Sequence, residues 1–154
     1  MKLFIEGIDY SNTLGPWIGK TFKMMDEYLE SVLCDNNLQI SKRQWLVLNF
    51  IRTNPGLNQN KLAHFVNRDK TSIARFVATL EKKEFVIKKA SKEDKRVKTL
   101  FITDKAEALL AEATPIIREA VLKLQNEISE EEVKETIKSL KKIQEKIKHI
   151  NNNK

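Results

Sequence analysis

The strongest constraint on this chain lies between Asn58 and Thr103, where the spacing of apolar residues changes period. Leu62, Ala63 and Phe65 or Val66, and then Ile73, Phe76, Val77 and Leu80, recur at the three- and four-residue steps of a helix face. The first segment covers about 58–66 and the second about 70–83, with only "NRD" between them. Asp69 ends that turn and suits an N-cap, because its carboxylate can accept backbone N–H groups left unpaired at a helix start. The pattern then becomes strand-like in "FVIKKA" and "VKTLFI", around the charged turn "SKEDKR". Two short helices joined by about three residues, the second strongly amphipathic, form a helix-turn-helix. A hairpin directly after it makes the unit a winged helix.

The flanking sequence is helical. Leu14, Trp17, Ile18, Phe22, Met25, Leu29 and Val32 mark one amphipathic helix, with Pro16 in its first turn, where a missing N–H costs least. "DNNLQ" breaks it. In "ISKRQWLVLNFI", Ser41 and Gln44 have capping-box spacing, and that helix should stop near Thr53 at "NPG". After the hairpin, Thr103 should cap a helix with Ala106, Leu109, Leu110, Ala113, Ile116, Ile117, Ala120, Val121 and Leu124 on one side, bent at Pro115. Ser129 and Glu132 repeat the capping box before a last helix. The expected fold is mainly α with a small β-hairpin wing. A winged helix-turn-helix region over 38–103 is flanked by dimerisation helices at 11–34 and 104–150, all within one domain spanning 1–154.

Dimerisation is expected because the outer helices are apolar beyond what a winged helix needs. Val133, Ile137, Leu140, Ile147 and Ile150 form a stripe with little in one chain left to cover it. Packing against the same helices of a second copy gives a two-fold dimer. An intramolecular bundle is the alternative.

Charge points to a partner. The net charge is +7, and between Lys61 and Thr103 stand 12 Lys or Arg against 5 Asp or Glu, so the whole surplus lies in one 43-residue block. A phosphate-binding face concentrates cations in this way. On the second of the short helices the buried stripe turns Lys70, Thr71, Ser72, Arg75, Thr79 and Lys82 outward. Short side chains let a helix approach base edges, and Arg can fork to guanine O6 and N7. The hairpin adds Lys88, Lys89, Lys92, Lys95, Arg96 and Lys98. An Arg at its tip suits a minor groove, whose negative potential attracts it. Asp94, two residues earlier, can hold the guanidinium through a charge-assisted bond and fix its direction.

These residues carry a resemblance. "EDKRVKTLFIT" resembles the wing signature of the MarR (multiple antibiotic resistance regulator) family, an Asp-x-Arg followed at fixed distance by apolar residues and Thr. "DKTSIARFVATLEKKEFVIK" is similar to that family's recognition helix running into the first wing strand. The likeness covers about 60 residues closely. It implies a dimeric, sequence-specific transcriptional regulator bound to a pseudo-palindromic operator in double-stranded DNA, with Arg96 as the minor-groove arginine and Asp94 as its orienting acid. It also implies a repressor relieved by a small-molecule effector, in a pocket that Trp17, Phe22, Met25 and Trp45 could line. Two departures stand out: the family usually has Gly where this chain has Glu84, and frequently where it has Ala106. At Glu84 a left-handed corner must either be strained or be remodelled.

No enzyme is expected, as the chain has no phosphate-binding Gly-rich loop, and His64 and His149 are isolated. No cofactor or metal is implied, because ligand clusters of Cys and His are absent. The rival reading is a winged-helix protein-interaction module that binds no DNA. Cys34, a lone cysteine, reads as a small buried hydrophobe before it reads as an oxidant sensor. No segment approaches membrane-spanning length and the N-terminal apolar run is short for a signal peptide, so a cytoplasmic protein is expected.

Overall fold

The structure is a computed structural model that describes residues 4–66, 68–91 and 95–153. The chain divides into two compact units, Met1–Arg118 and Glu119–Lys154.

The first unit opens with a hairpin that the helical reading did not anticipate, β1 (Phe4–Ile5) against β2 (Ile8–Asp9). Its turn needs two positive φ angles, taken by Glu6 at 45° and Gly7 at 83°. A 3-10 turn at Tyr10–Asn12 leads into α1 (Leu14–Asp35), of which Leu29 and Leu33 are buried. Asn37, at φ 57°, ends α1: its N–H donates to Cys34 O at 2.9 Å and Leu38 N–H to Leu33 O at 3.0 Å. This is the Schellman closure, with Asn where Gly is usual. Next is α2 (Lys42–Thr53), which begins with the expected capping box between Ser41 and Gln44.

The helix-turn-helix consists of α3 (Gln59–Phe65), capped by Asn58, and α4 (Lys70–Lys82), capped by Asp69. Val66 is half-buried, whereas Phe65 is 45% exposed and stacks on Phe50 with ring centroids 3.4 Å apart. The wing is β3 (Val86–Ala90) paired antiparallel with β4 (Lys98–Ile102), in a register that places Val86 opposite Ile102 and Ala90 opposite Lys98. A third stretch joins it: Leu100 N–H donates to Leu57 O at 2.7 Å, and Asn58 bridges Thr99. The loop before α3 is thereby fastened to the wing.

Thr103 caps α5 (Asp104–Gln125), accepting the Ala106 N–H at 3.2 Å, and the helix runs unbroken through Pro115. Leu48, Leu62, Leu80, Leu100 and Leu110 each have 0% exposure. They come one each from α2, α3, α4, β4 and α5, and β3 adds Val86 at 2% exposure, so every element of the winged helix and the helix after it contribute buried residues to the core. Truncating such a leucine to alanine costs about 2–5 kcal/mol.

The second unit holds the end of α5 and α6 (Glu130–Asn152). Ser129 and Glu132 form the expected capping box, and the three glutamates of the first turn suit the positive end of the helix. No residue of α6 is buried. Ile137, Ile147 and Ile150 are 46%, 51% and 48% exposed, and Leu140 is half-buried.

Candidate nucleic-acid interface

The outward face of α4 is sorted by its own hydrogen bonds. At its N-terminus, Asp69 Oδ1 accepts the Ser72 N–H at 2.8 Å and Oδ2 accepts the Ser72 hydroxyl at 2.6 Å. Those two bonds, the hydroxyl first, hold the Asp69 carboxyl below its usual range. Ser72 has therefore committed its proton and can only accept from a further partner. Thr79 likewise donates to Arg75 O at 3.1 Å. Lys70, Thr71 and Arg75 are exposed and, among the described residues, have no side-chain hydrogen bond or ion pair. Thr71 and Arg75 are four residues apart and so project from one face. Of the outward side chains expected from the sequence, these three and Lys82, also exposed and without such a partner, are the ones left uncommitted for a ligand.

The wing is sorted in the same way. Lys88 pairs with Glu81 at 2.7 Å, which fastens β3 to α4 and removes one of the cations counted from the sequence. The Lys89 ammonium lies 5.2 Å from the Phe101 ring centroid. Lys95, Arg96 and Lys98 are exposed. Lys92 and Asp94, both expected at the interface, lie outside the described residues.

The corner between α4 and the wing is strained rather than remodelled. Glu84 sits at φ 61°. Its N–H donates to Glu81 O at 2.8 Å and the Phe85 N–H to Leu80 O at 2.9 Å, the Schellman pattern again. From the far side, Thr103 donates its hydroxyl to Glu84 O at 2.6 Å and its N–H to Phe85 O at 3.1 Å. The Lys105 ammonium bonds the Glu84 carboxylate at 2.9 Å and holds its pKa below the usual range. One corner thus joins the end of α4, the root of the wing and the start of α5. Ala106, the other departure from the family pattern, has 0% exposure, so its methyl group is part of the core.

The residues expected around an effector are not enclosed by the single chain. Trp17 and Phe22 are 60% and 65% exposed on α1, and Met25 is 36% exposed. The Trp17 indole donates to Ser11 O at 2.8 Å, and that of half-buried Trp45 to Thr114 Oγ1 at 3.2 Å. Cys34 is exposed, not buried, because it falls on the open side of the last turn of α1. Among the described residues there is no group of three or more His, Cys, Asp or Glu that could hold a metal ion, and no helix long and apolar enough to cross a membrane. Sequence reasoning missed Leu57 as a wing contact; an apolar residue directly after "NPG" was its only signal.

Comparison with known proteins agrees with this geometry. Residues 40–98, from just before α2 to the first residue of β4, match the MarR family model. YybA of Bacillus subtilis strain 168, named as an HTH-type transcriptional regulator, is 38% identical over 69 residues, 45% of this chain and 46% of that protein. The matched stretch thus spans less than half of this relative's length. The whole fold resembles the repressor CouR bound to a 23-mer DNA duplex, with a TM-score of 0.79 and 21% identity, over 92% of this chain and 99% of that one. It also resembles MepR of S. aureus in complex with DNA, with a TM-score of 0.79 and 21% identity over 90% and 99% of the two chains. A mutant MarR from E. coli complexed with operator DNA gives 0.78 and 23% over 84% and 92%. Residues 40–98 thus match the MarR family model, and the chain as a whole shares the fold of the CouR, MepR and MarR structures.

Proposed function

We propose that this protein is a dimeric, sequence-specific DNA-binding transcriptional regulator, a repressor released by a small-molecule effector. One observation carries the reading: within the family-matched segment, an uncommitted Lys70–Thr71–Arg75 face on α4 stands beside a wing bearing Lys95 and Arg96. In this reading α4 enters the major groove, where Thr71 and Arg75 read base edges. Lys70, at the first turn, meets phosphate, and Ser72 and Thr79 lie along the same face. Arg96 enters the flanking minor groove, oriented by Asp94, while Lys92 and Lys95 meet the backbone. The concentration of the whole net charge in this block supports DNA over a protein-only partner. The DNA complexes of CouR, MepR and MarR, which share the fold, support it too.

The dimer rests on the stripe of exposed Ile137, Ile147 and Ile150 and half-buried Leu140 on α6 and on the open apolar face of α1. A second copy would cover both, and Trp17, Phe22, Met25 and Trp45 would then border a space for the effector. Selection of genomic fragments with the purified protein, followed by footprinting, tests the reading. A pseudo-palindromic site with half-sites about one helical turn apart is expected. Failure to enrich any sequence would favour the protein-interaction module instead.

A further inference from the structure

The attachment of α1 to the winged helix is uneven. Its buried residues, Leu29 and Leu33, lie toward its C-terminal end, and its earlier turns are open. What ties those turns to α2 is a ladder of side chains four residues apart, Phe22, Asp26 and Glu30, which converge on Lys42, the first residue of α2. Glu30 Oε2 accepts the Lys42 backbone N–H at 2.8 Å. That bond satisfies a donor left open at the helix start and places negative charge at the positive end of α2. Asp26 is ion-paired with the Lys42 ammonium, which lies 5.4 Å from the Phe22 ring centroid. Among the described residues, the polar side-chain contacts that leave α1 for the winged helix all end on Lys42.

Asp26 is 51% exposed, so its ion pair adds little to stability. Three contacts on one residue at a helix start do fix an angle.

We infer that Asp26 and Glu30 are positioning residues that transmit the orientation of α1 to the winged helix and so set the separation of the two recognition helices. The inference rests on the DNA-binding dimer proposed above, with α1 in its interface. DNA demands two major-groove entries at a fixed interval, and a dimer with loose arms would spend much of its time at other separations.

Two measurements test this. Spin labels are placed on Lys82→Cys in a Cys34→Ser background, and the distance between the two copies is measured with and without Asp26→Asn plus Glu30→Gln. The parent should give one narrow distance and the double variant a broad distribution. Asp26→Asn alone should show a smaller broadening, and Lys42→Arg should keep the narrow distance. In duplex titrations, the parent should prefer one half-site spacing by about tenfold over spacings one or two base pairs away, and the double variant by about twofold or less. An equally narrow distance and an unchanged spacing preference in the double variant would overturn the inference, as would the absence of any distance between copies. Broadening as expected in a protein that binds no duplex would remove the DNA reading and leave the positioning role standing.

Discussion

Glu84 and Lys105 are joined at 2.9 Å across a corner where the glutamate backbone lies in the left-handed region, at φ 61°. The pair is exposed on both sides, with side chains 76% and 56% accessible, so it offsets little of the strain that a Cβ creates there. The corner is held by its surroundings: two backbone bonds from the helix end and two from Thr103. Glu84→Gly should remove the strain and lose only the weak pair, at the cost of a more flexible unfolded chain. The melting temperature should rise by about 2 °C, with operator affinity unchanged. Thermal unfolding followed by circular dichroism checks this, and a fall would mean that the lost Lys105 bond and the added flexibility of the unfolded chain together outweigh the strain.

A second prediction concerns acid. The carboxyl of Asp69 is held below its ordinary value of 3.8 by the Ser72 hydroxyl and then the Ser72 N–H. A group whose pKa is depressed on folding stabilises the fold fully above its unfolded value and loses that contribution as the pH falls through the folded one. Asp69→Asn keeps a capping side chain but loses the charge at the start of α4. The parent should be the more stable at neutral pH, and the gap should close once the pH is well below 3.8. Denaturant midpoints across that range give the answer; a gap that stays constant would contradict the charge-based cap.

How much of this could be read in the sequence follows from how local each signal is. The caps at Ser41, Asp69 and Ser129 use residues three apart, so the starts of α2, α4 and α6 were legible. The first hairpin was not, because two-residue strands are too short for a period to show, although Glu6-Gly7 carried a turn signal. Leu57 on the wing and Phe65 on Phe50 were hidden because both depend on contacts distant in the chain or on the choice between adjacent residues. Polarity placed Ser72 and Thr79 on the outward face of α4 but could not tell that their protons are already donated, to Asp69 and to Arg75 O. The ladder onto Lys42 was invisible for the same reason. Its residues are an ordinary polar face until α2 is set against them.

The third prediction separates orientation from charge at the wing. Arg96→Ala should weaken operator binding by about ten- to a hundredfold while leaving the melting temperature unchanged, since the side chain is exposed. Asp94→Ala should also weaken binding, although it removes a negative charge. Simple phosphate attraction requires the opposite. If Asp94→Ala binds the operator as well as the parent or better, Asp94 does not orient Arg96 and the wing is only a cationic patch.

Thr71 and Arg75 should behave differently from the wing. Alanine at either position should relax sequence preference more than it lowers affinity for unrelated DNA, with about 1–3 kcal/mol of discrimination lost for Arg75. Lys70→Ala should instead weaken binding to all sequences alike and reduce the salt dependence by about one unit of slope. Binding to single-base operator variants at several salt concentrations distinguishes the two patterns. A uniform loss in Arg75→Ala would remove it from base reading.

The most direct test of the whole account is the affinity of the parent protein for its selected duplex and for a scrambled duplex of the same composition, measured together at one physiological salt concentration. Sequence-specific recognition through α4 and the wing predicts binding to the selected site at least about 10³-fold tighter, with two recognition helices per duplex. Equal affinities for the two duplexes would contradict it, because a basic block without base contacts binds both alike.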